Sequence, residues 1–281
     1  MFTCRRSTTL CKRIMITVSS GDLSVTIDLQ NGGRLSSVLW KDLEFAVEKK
    51  PTTLHWGWYA MAPWAGRIRN GLLQTPSGPF QLSQELMPPH AIHGLLFDAH
   101  IEVGYHQSDR ALVTNELPAP FNGGRVEQSV ALSQDSMVWT VRYINGENVM
   151  PAWLGFHPWY KRKLSRGSEV EIFNPASYVL EQDETGIPTG KLIKVFAQPW
   201  DHTFGGLSSD PYMIWPGAAK MTCISSQPWW TFYTGNPDGV CVEPLNAPPN
   251  AVELGLAPLL QPGESIEVSY QMDFEAHVAN S

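Results

Sequence analysis

Two segments carry residues able to move protons. In Gly155-Phe156-His157-Pro158-Trp159-Tyr160-Lys161-Arg162 a histidine stands directly before a proline. Proline disfavours the α region for the residue before it, so His157 is held extended and its ring is aimed. Period-two geometry puts His157 and Trp159 on one face and Phe156, Pro158 and Tyr160 on the other. Taken alone, this stretch fits either a core histidine satisfied by backbone or an acid–base histidine in an aromatic pocket. In Gly239-Val240-Cys241-Val242-Glu243-Pro244, the valines face one way and Cys241 and Glu243 the other, and Pro244 ends the strand by removing a ladder donor. Burial of a carboxylate at the end of an apolar strand raises its proton affinity toward the range of a general base. The alternative is a strand-end glutamate paired with an arginine.

Three further segments offer groups that could hold a ligand. In Ala62-Pro63-Trp64-Ala65-Gly66-Arg67-Ile68-Arg69-Asn70-Gly71, a strand would place Arg67 and Arg69 on one face before Asn70-Gly71 turns the chain. Arg67, beside Trp64 and two small residues, has room to donate to a ligand hydroxyl from its planar fork, whereas for Arg69 a solvated edge and a ligand contact weigh equally. His93 precedes Gly94, whose missing side chain lets a backbone or a ligand approach; His90 and His100 read as surface or turn residues. In Pro199-Trp200-Asp201-His202-Thr203-Phe204-Gly205-Gly206, Asp201 either caps a turn or clasps vicinal hydroxyls, and His202 reads as structural.

Strands must position all of these. Twenty-two prolines and 23 glycines interrupt the 281 residues too often for long amphipathic helices. "LSVTIDL", "VEQSVAL", "MVWTVRYI", "SEVEIF" and "SIEVSYQMDF" alternate as half-buried strands do. Turn residues punctuate them at Asn31-Gly32-Gly33, Pro76-Ser77-Gly78-Pro79, Asn145-Gly146 and Pro237-Asp238-Gly239. No repeat of fixed period and no linker-like composition shift appears, so the pattern predicts one all-β unit over residues 15–281, a sandwich of large antiparallel sheets. Short helical turns are allowed near "PPHAIHGLL", though the sequence does not demand them. Residues 1–14 hold Arg5, Arg6, Lys12 and Arg13 with no acid, and read as a disordered basic tail.

The formal charge is −7, and without the four tail cations the body carries −11, which argues against nucleic acid or anionic membranes as partners. No stretch approaches a membrane span and the basic start lacks a secretory apolar run, so a cytoplasmic enzyme is expected. Four cysteines without a Cys-x-x-Cys spacing make a metal site or a disulfide framework an unexpected feature. The sequence carries no signal for oligomeric state.

Taken in order, "GRIRNG", "IHGLLFD", "GFHPWY", "WDHTFGGL" and "VCVEPLNAPPNA" resemble the aldose 1-epimerase (galactose mutarotase) family, over about Asp22 to Asp273. The resemblance implies a galactose mutarotase-like supersandwich that binds a monosaccharide and interconverts its anomers without a cofactor. It also implies His157 as general acid, Glu243 as general base, and Arg67, His93 and Asp201 as substrate-binding residues. Among Trp64, Trp159, Trp229 and Trp230, Trp159 is the candidate for the flat face against the sugar. The sequence departs from the family where Phe156 stands in the place many galactose mutarotases give to asparagine, and where Pro158 follows the histidine. That His-Pro form is closer to branches including hexose-6-phosphate epimerases, for which Arg69 and Lys161 to Lys163 are candidate phosphate contacts. A sugar-binding sandwich without catalysis is the remaining alternative.

Overall fold

The structure, a computed structural model, describes residues 14–278. Residues 1–13 and 279–281 lie outside it, and with them all of the expected basic tail except Ile14, whose carbonyl accepts from the Leu29 amide at 2.9 Å. Every strand pairing among the described residues is antiparallel apart from an isolated parallel bridge between Ala62 and Gly94. A 12-stranded sheet and an 8-stranded sheet dominate, joined by three two-stranded ribbons. The all-β sandwich expected from the alternation is therefore present.

The 8-stranded sheet is the more regular, since its strands alternate over long runs. Ser136–Ile144 pairs with Ser265–Ala276 over nine positions, and Met137, Trp139, Val141 and Tyr143 on the first are buried with Val268, Tyr270, Met272 and Phe274 on the second. These residues meet the inner face of the larger sheet. The Phe156 ring lies 4.5 Å from Trp139 and 5.8 Å from Tyr270, Phe45 packs on Phe274 at 5.3 Å, and the Tyr160 and Tyr270 hydroxyls bond at 2.8 Å. One contiguous apolar cluster fills the space between the sheets.

Period-two alternation then decides what faces away from that core. Phe156 and Tyr160 point inward, so His157 and Trp159 point to the outer face of the large sheet, as expected. Five neighbouring strands of this sheet lie in the lateral order Trp58–Met61, Gly155–Pro158, Gly239–Leu245, Trp229–Tyr233 and Asp201–Gly205.

Four local expectations need correction. "SEVEIF" forms only the short edge strand Glu171–Phe173, because its sole partner is Tyr212–Trp215. The strand at Arg67 ends after Arg67–Ile68, where Arg69–Gly71 makes a 3-10 turn with Asn70 at φ 51°, so Arg67 and Arg69 do not share a strand face. That turn is the helical element among the described residues, and "PPHAIHGLL" instead contains the short strand Ala91–Ile92. His90 stands at a turn, its amide donating to the Met87 carbonyl at 2.8 Å, but it is buried rather than at the surface, and its Nδ1 accepts from the Asn70 amide at 3.1 Å.

Candidate active site

Cross-strand register assembles the site. His157 pairs with Tyr59 on one side, while Glu243 pairs with Thr231, and Thr231 with Thr203. Between the His157 and Glu243 strands the ladder is interrupted. Gly155 pairs with Leu245 and Tyr160 with Val240, and one register runs through both, so His157 lies opposite Glu243 and Trp159 opposite Cys241. Inside the gap, Phe156 faces Pro244 and Pro158 faces Val242, two positions where one partner has no amide hydrogen. The Val242 carbonyl takes the Tyr270 hydroxyl instead, at 3.0 Å. Two rows thus cross the sheet: Tyr59, His157, Glu243, Thr231, Thr203, and beside it Trp159, Cys241, Tyr233, Asp201.

Above these rows opens a pocket with about 740 Å3 of empty space, solvent at its mouth included. Its lining includes Arg67, His93, His157, Trp159, Asp201 and Glu243, so all six residues expected from the sequence converge. Of the other candidate tryptophans, Trp64 packs on Phe121, Trp229 on Tyr178 and Trp230 on Tyr270, and none lines this pocket. Sequence reasoning missed His55, Gln182, Thr231 and Tyr233, which also line it. Thr231 and Tyr233 carry a usable signal in hindsight: both occupy one face of "WWTFY", but nothing local says that this face meets Glu243.

His157 Nε2 and Glu243 Oε1 are 3.4 Å apart, both nearly buried. They therefore sit side by side on the pocket floor rather than across it. His157 Nδ1 lies 3.6 Å from Cys241 Sγ. The imidazole stacks on Tyr59 at 4.7 Å and on Trp159 at 5.4 Å, while His93 meets it edge-on at 4.7 Å. His157, Cys241 and Glu243 each offer one ligand-type atom within 4.8 Å of one another, with His157 Nε2 facing Glu243 and Nδ1 facing Cys241.

Backbone constraints place His93 and Arg67. His93 has φ 58° and Gly94 φ 80°, and a Cβ on Gly94 would come within 2.1 Å of the Ala62 carbonyl oxygen. Glycine is required there because strand-like Ala62 passes through the space a side chain would fill. The Arg67 strand pairs with Ala91–Ile92, which brings guanidinium and imidazole to the same wall. Arg67 Nη2 donates to Asp201 Oδ2 at 3.3 Å, and Nη1 to the Gly186 carbonyl at 3.3 Å.

Burial dominates the electrostatics. It pushes the Glu243 carboxyl well above the usual carboxylate range, with the Asp201 charge adding to the rise and Arg67 opposing it. It holds the His157 imidazole down at about 3, helped by the charges of Arg34 and His55. Burial likewise keeps His93 well below its ordinary value, and its Nδ1 finds no partner among the described residues. The resting pair is thus neutral, with its one proton on Glu243. A neutral imidazole carries one ring hydrogen, and with Nε2 facing a protonated carboxyl that hydrogen is assigned to Nδ1, facing Cys241.

The fold and site thus define a two-sheet antiparallel sandwich with a buried His–Glu contact on the floor of a polar pocket. The sequence profile of the family described as aldose 1-epimerase matches residues 15–273, and the chain belongs to that family. The uncharacterised protein YihR of Escherichia coli K12 is 25% identical over 281 residues, 89% of each chain. Similar solved structures share the fold at lower identity. One is a provisionally assigned aldose 1-epimerase from Escherichia coli K12, with TM-score 0.82, 19% identity, and coverage of 93% of this chain and 99% of that one. Another is a galactose mutarotase-like protein from Clostridium acetobutylicum, with TM-score 0.80, 16% identity, and coverage of 93% and 95%.

Proposed function

We propose that residues 15–281 act as one cofactor-independent aldose 1-epimerase unit that interconverts the anomers of a free, uncharged aldohexose. The observation that carries this reading is the His157–Glu243 contact of 3.4 Å on the floor of a sugar-sized pocket walled by Arg67, His93 and Asp201. Anomerisation removes the proton of the C1 hydroxyl while the ring oxygen gains one, so it needs an acid and a base that together hold one proton. Transfer of the Glu243 proton to His157 yields that state. Glu243 then takes the C1 hydroxyl proton, His157 protonates the ring oxygen, the ring bond breaks, and the aldehyde turns before closure with the roles reversed. His93 as a neutral imidazole and Arg67 offer donors to the sugar oxygens, and the Asp201 carboxylate accepts from hydroxyls. Trp159 offers an apolar ring to the C–H bonds.

The cationic groups favour a free sugar over a sugar phosphate. Arg69 is bound by Asp183 at 2.9 Å and Glu253 at 3.0 Å. Lys161 pairs with Glu48, Arg162 pairs with Glu169 and donates to the Asn236 and Thr234 carbonyls, and Lys163 is exposed. Among the described residues, Arg67 is the lysine or arginine that lines the pocket, and Asp201 already engages it. A cytoplasmic location fits two buried cysteines, Cys223 and Cys241, that remain free thiols. Among the described residues no helix is long and apolar enough to cross a membrane.

Polarimetry on freshly dissolved α-D-glucose and α-D-galactose tests the reading. Wild type should speed relaxation, and Glu243→Gln should lower kcat by about 10²–10⁴-fold while still binding sugar in calorimetry. Relaxation at the buffer rate with wild type sinks it; a faster rate on the 6-phosphates transfers it to sugar phosphates.

A further inference from the structure

Beyond the Tyr59 ring on which His157 stacks lies a charge that the proton-transfer scheme does not use. Arg34 is 0% exposed, and among the described residues no carboxylate comes within ion-pair distance of its guanidinium. An isolated buried cation is costly, so its seat must hold it by other means. Two carbonyls do so, those of Trp56 and of Phe97, the latter at 3.3 Å. Two aromatic faces complete the seat: the guanidinium carbon stands 4.2 Å from the Trp56 ring centroid and 4.5 Å from that of Tyr59. Nε has no partner among the described residues. The seat is also shaped for the stem, since a Cβ on Gly57, which has φ +58°, would come within 2.8 Å of Arg34 Cδ.

The opposite face of this arrangement is the pocket floor. Tyr59 pairs with His157 across the sheet, and the two rings stack at 4.7 Å with only 17° between their planes. The Tyr59 hydroxyl donates to the Leu54 carbonyl at 3.2 Å, and Trp159, the other ring stacked on His157, donates to the same carbonyl at 2.5 Å. Arg34 therefore anchors both ends of the segment that carries His55 into the pocket: Trp56 directly and Leu54 through Tyr59.

We propose that Arg34 is a positioning residue for His157, acting through Tyr59: it seats the ring on which the imidazole lies and fixes a positive charge behind it. This rests on the proposed acid–base role of His157. A fixed cation behind the ring disfavours the imidazolium, so the neutral imidazole persists into acid, in keeping with the direction burial already sets. The other groups facing His157 cannot substitute for it. Glu243 and Cys241 come from the neighbouring strand and are neutral at rest, as is His93; Arg67 is tied to Asp201 across the pocket, and His55 is half-exposed on the rim.

The test compares Arg34→Met and Arg34→Gln, which remove the charge, with Arg34→Lys, which keeps it. The readouts are the acid limb of kcat/KM for anomerisation and the 15N imidazole signals of His157, identified by their loss in His157→Gln. The neutral variants should raise the proton affinity of His157 by about tenfold, moving the acid limb up about one pH unit. They should lower kcat more than they change KM, and Arg34→Lys should return the limb toward wild type. Arg34→Gln, which can still donate to the Trp56 carbonyl, serves if Arg34→Met does not fold. Lower thermal stability with an unmoved limb and unmoved 15N titration would make Arg34 merely structural and overturn the inference, as would equal shifts in the lysine and neutral variants. If wild type turns over no sugar, the functional reading fails by itself, and the 15N titration still decides on Arg34.

Discussion

Glu243 and His157 are both held in their uncharged forms by burial, and the two have opposite consequences for stability. Folding raises the proton affinity of Glu243 above its ordinary 4.5, so the native state holds that proton more tightly than the unfolded chain does. The stability linked to this group is complete below about 4.5 and is lost as pH rises through the folded value. His157 works the other way: its folded value of about 3 lies below the ordinary 6.5, so its contribution is lost as pH falls from 6.5 toward 3. Glu243→Gln leaves His157 in place and removes only the alkaline loss. The melting temperature of the variant relative to wild type should therefore climb as pH rises above the ordinary carboxylate range, each kcal/mol moving the midpoint by about 2–4 °C. A difference that stays flat with pH would mean that Glu243 is not desolvated. In the proposed mechanism activity follows the same pair, because turnover there needs the pair to hold one proton. The alkaline limb of kcat/KM should lie above the ordinary carboxylate range, and a limb near 4.5 would contradict the neutral resting pair.

At the scale of single elements, the site depends on where strands stop. Pro158 and Pro244 each follow a proposed proton-transfer residue, and in the structure they fall in one interrupted ladder, offset by two positions. The gap lets both side chains reach the pocket floor in contact. The wall opposite depends on the left-handed turn at His93-Gly94, and here a single methyl group is the probe. Gly94→Ala would set a Cβ about 2.1 Å from the Ala62 oxygen at a φ of +80°, which needs a backbone shift. We expect a loss of about 2–3 kcal/mol in urea unfolding, from left-handed strain plus the backbone clash, together with weaker sugar binding as His93 moves. Wild-type stability in this variant would mean that the turn is not as tight as described. Arg69 illustrates the converse. The chain turns immediately after Ile68, so Arg69 leaves the strand and anchors the Asp183 turn, from which Gly186 accepts the neighbouring Arg67.

Across the whole molecule, the pocket floor is one surface of a sheet whose other surface is the core. Phe156, next to His157 in the chain, packs between Trp139 and Tyr270 of the second sheet, so core and site share a backbone. Trp139→Ala should cost about 3–5 kcal/mol in denaturant unfolding and broaden the His157 resonances, because Phe156 loses its main contact. An unchanged His157 spectrum would separate core from site. The sequence by itself determined the strand content, the inward and outward faces of each strand, and the types of residue able to do chemistry. It did so because side-chain alternation is a local property of extended backbone. The same alternation marked His157 with Trp159 and Cys241 with Glu243 as face-sharing pairs. What it could not determine was which faces meet. Tyr59, His157, Glu243, Thr231 and Thr203 stand in one row although they come from five separate stretches of chain. Register between such remote strands is set by the packing of the two sheets and by the two prolines that open the central ladder. Arg34 lay hidden for the same reason: its sequence neighbours announce only a turn, and the Tyr59 ring that links it to His157 arrives through tertiary pairing alone.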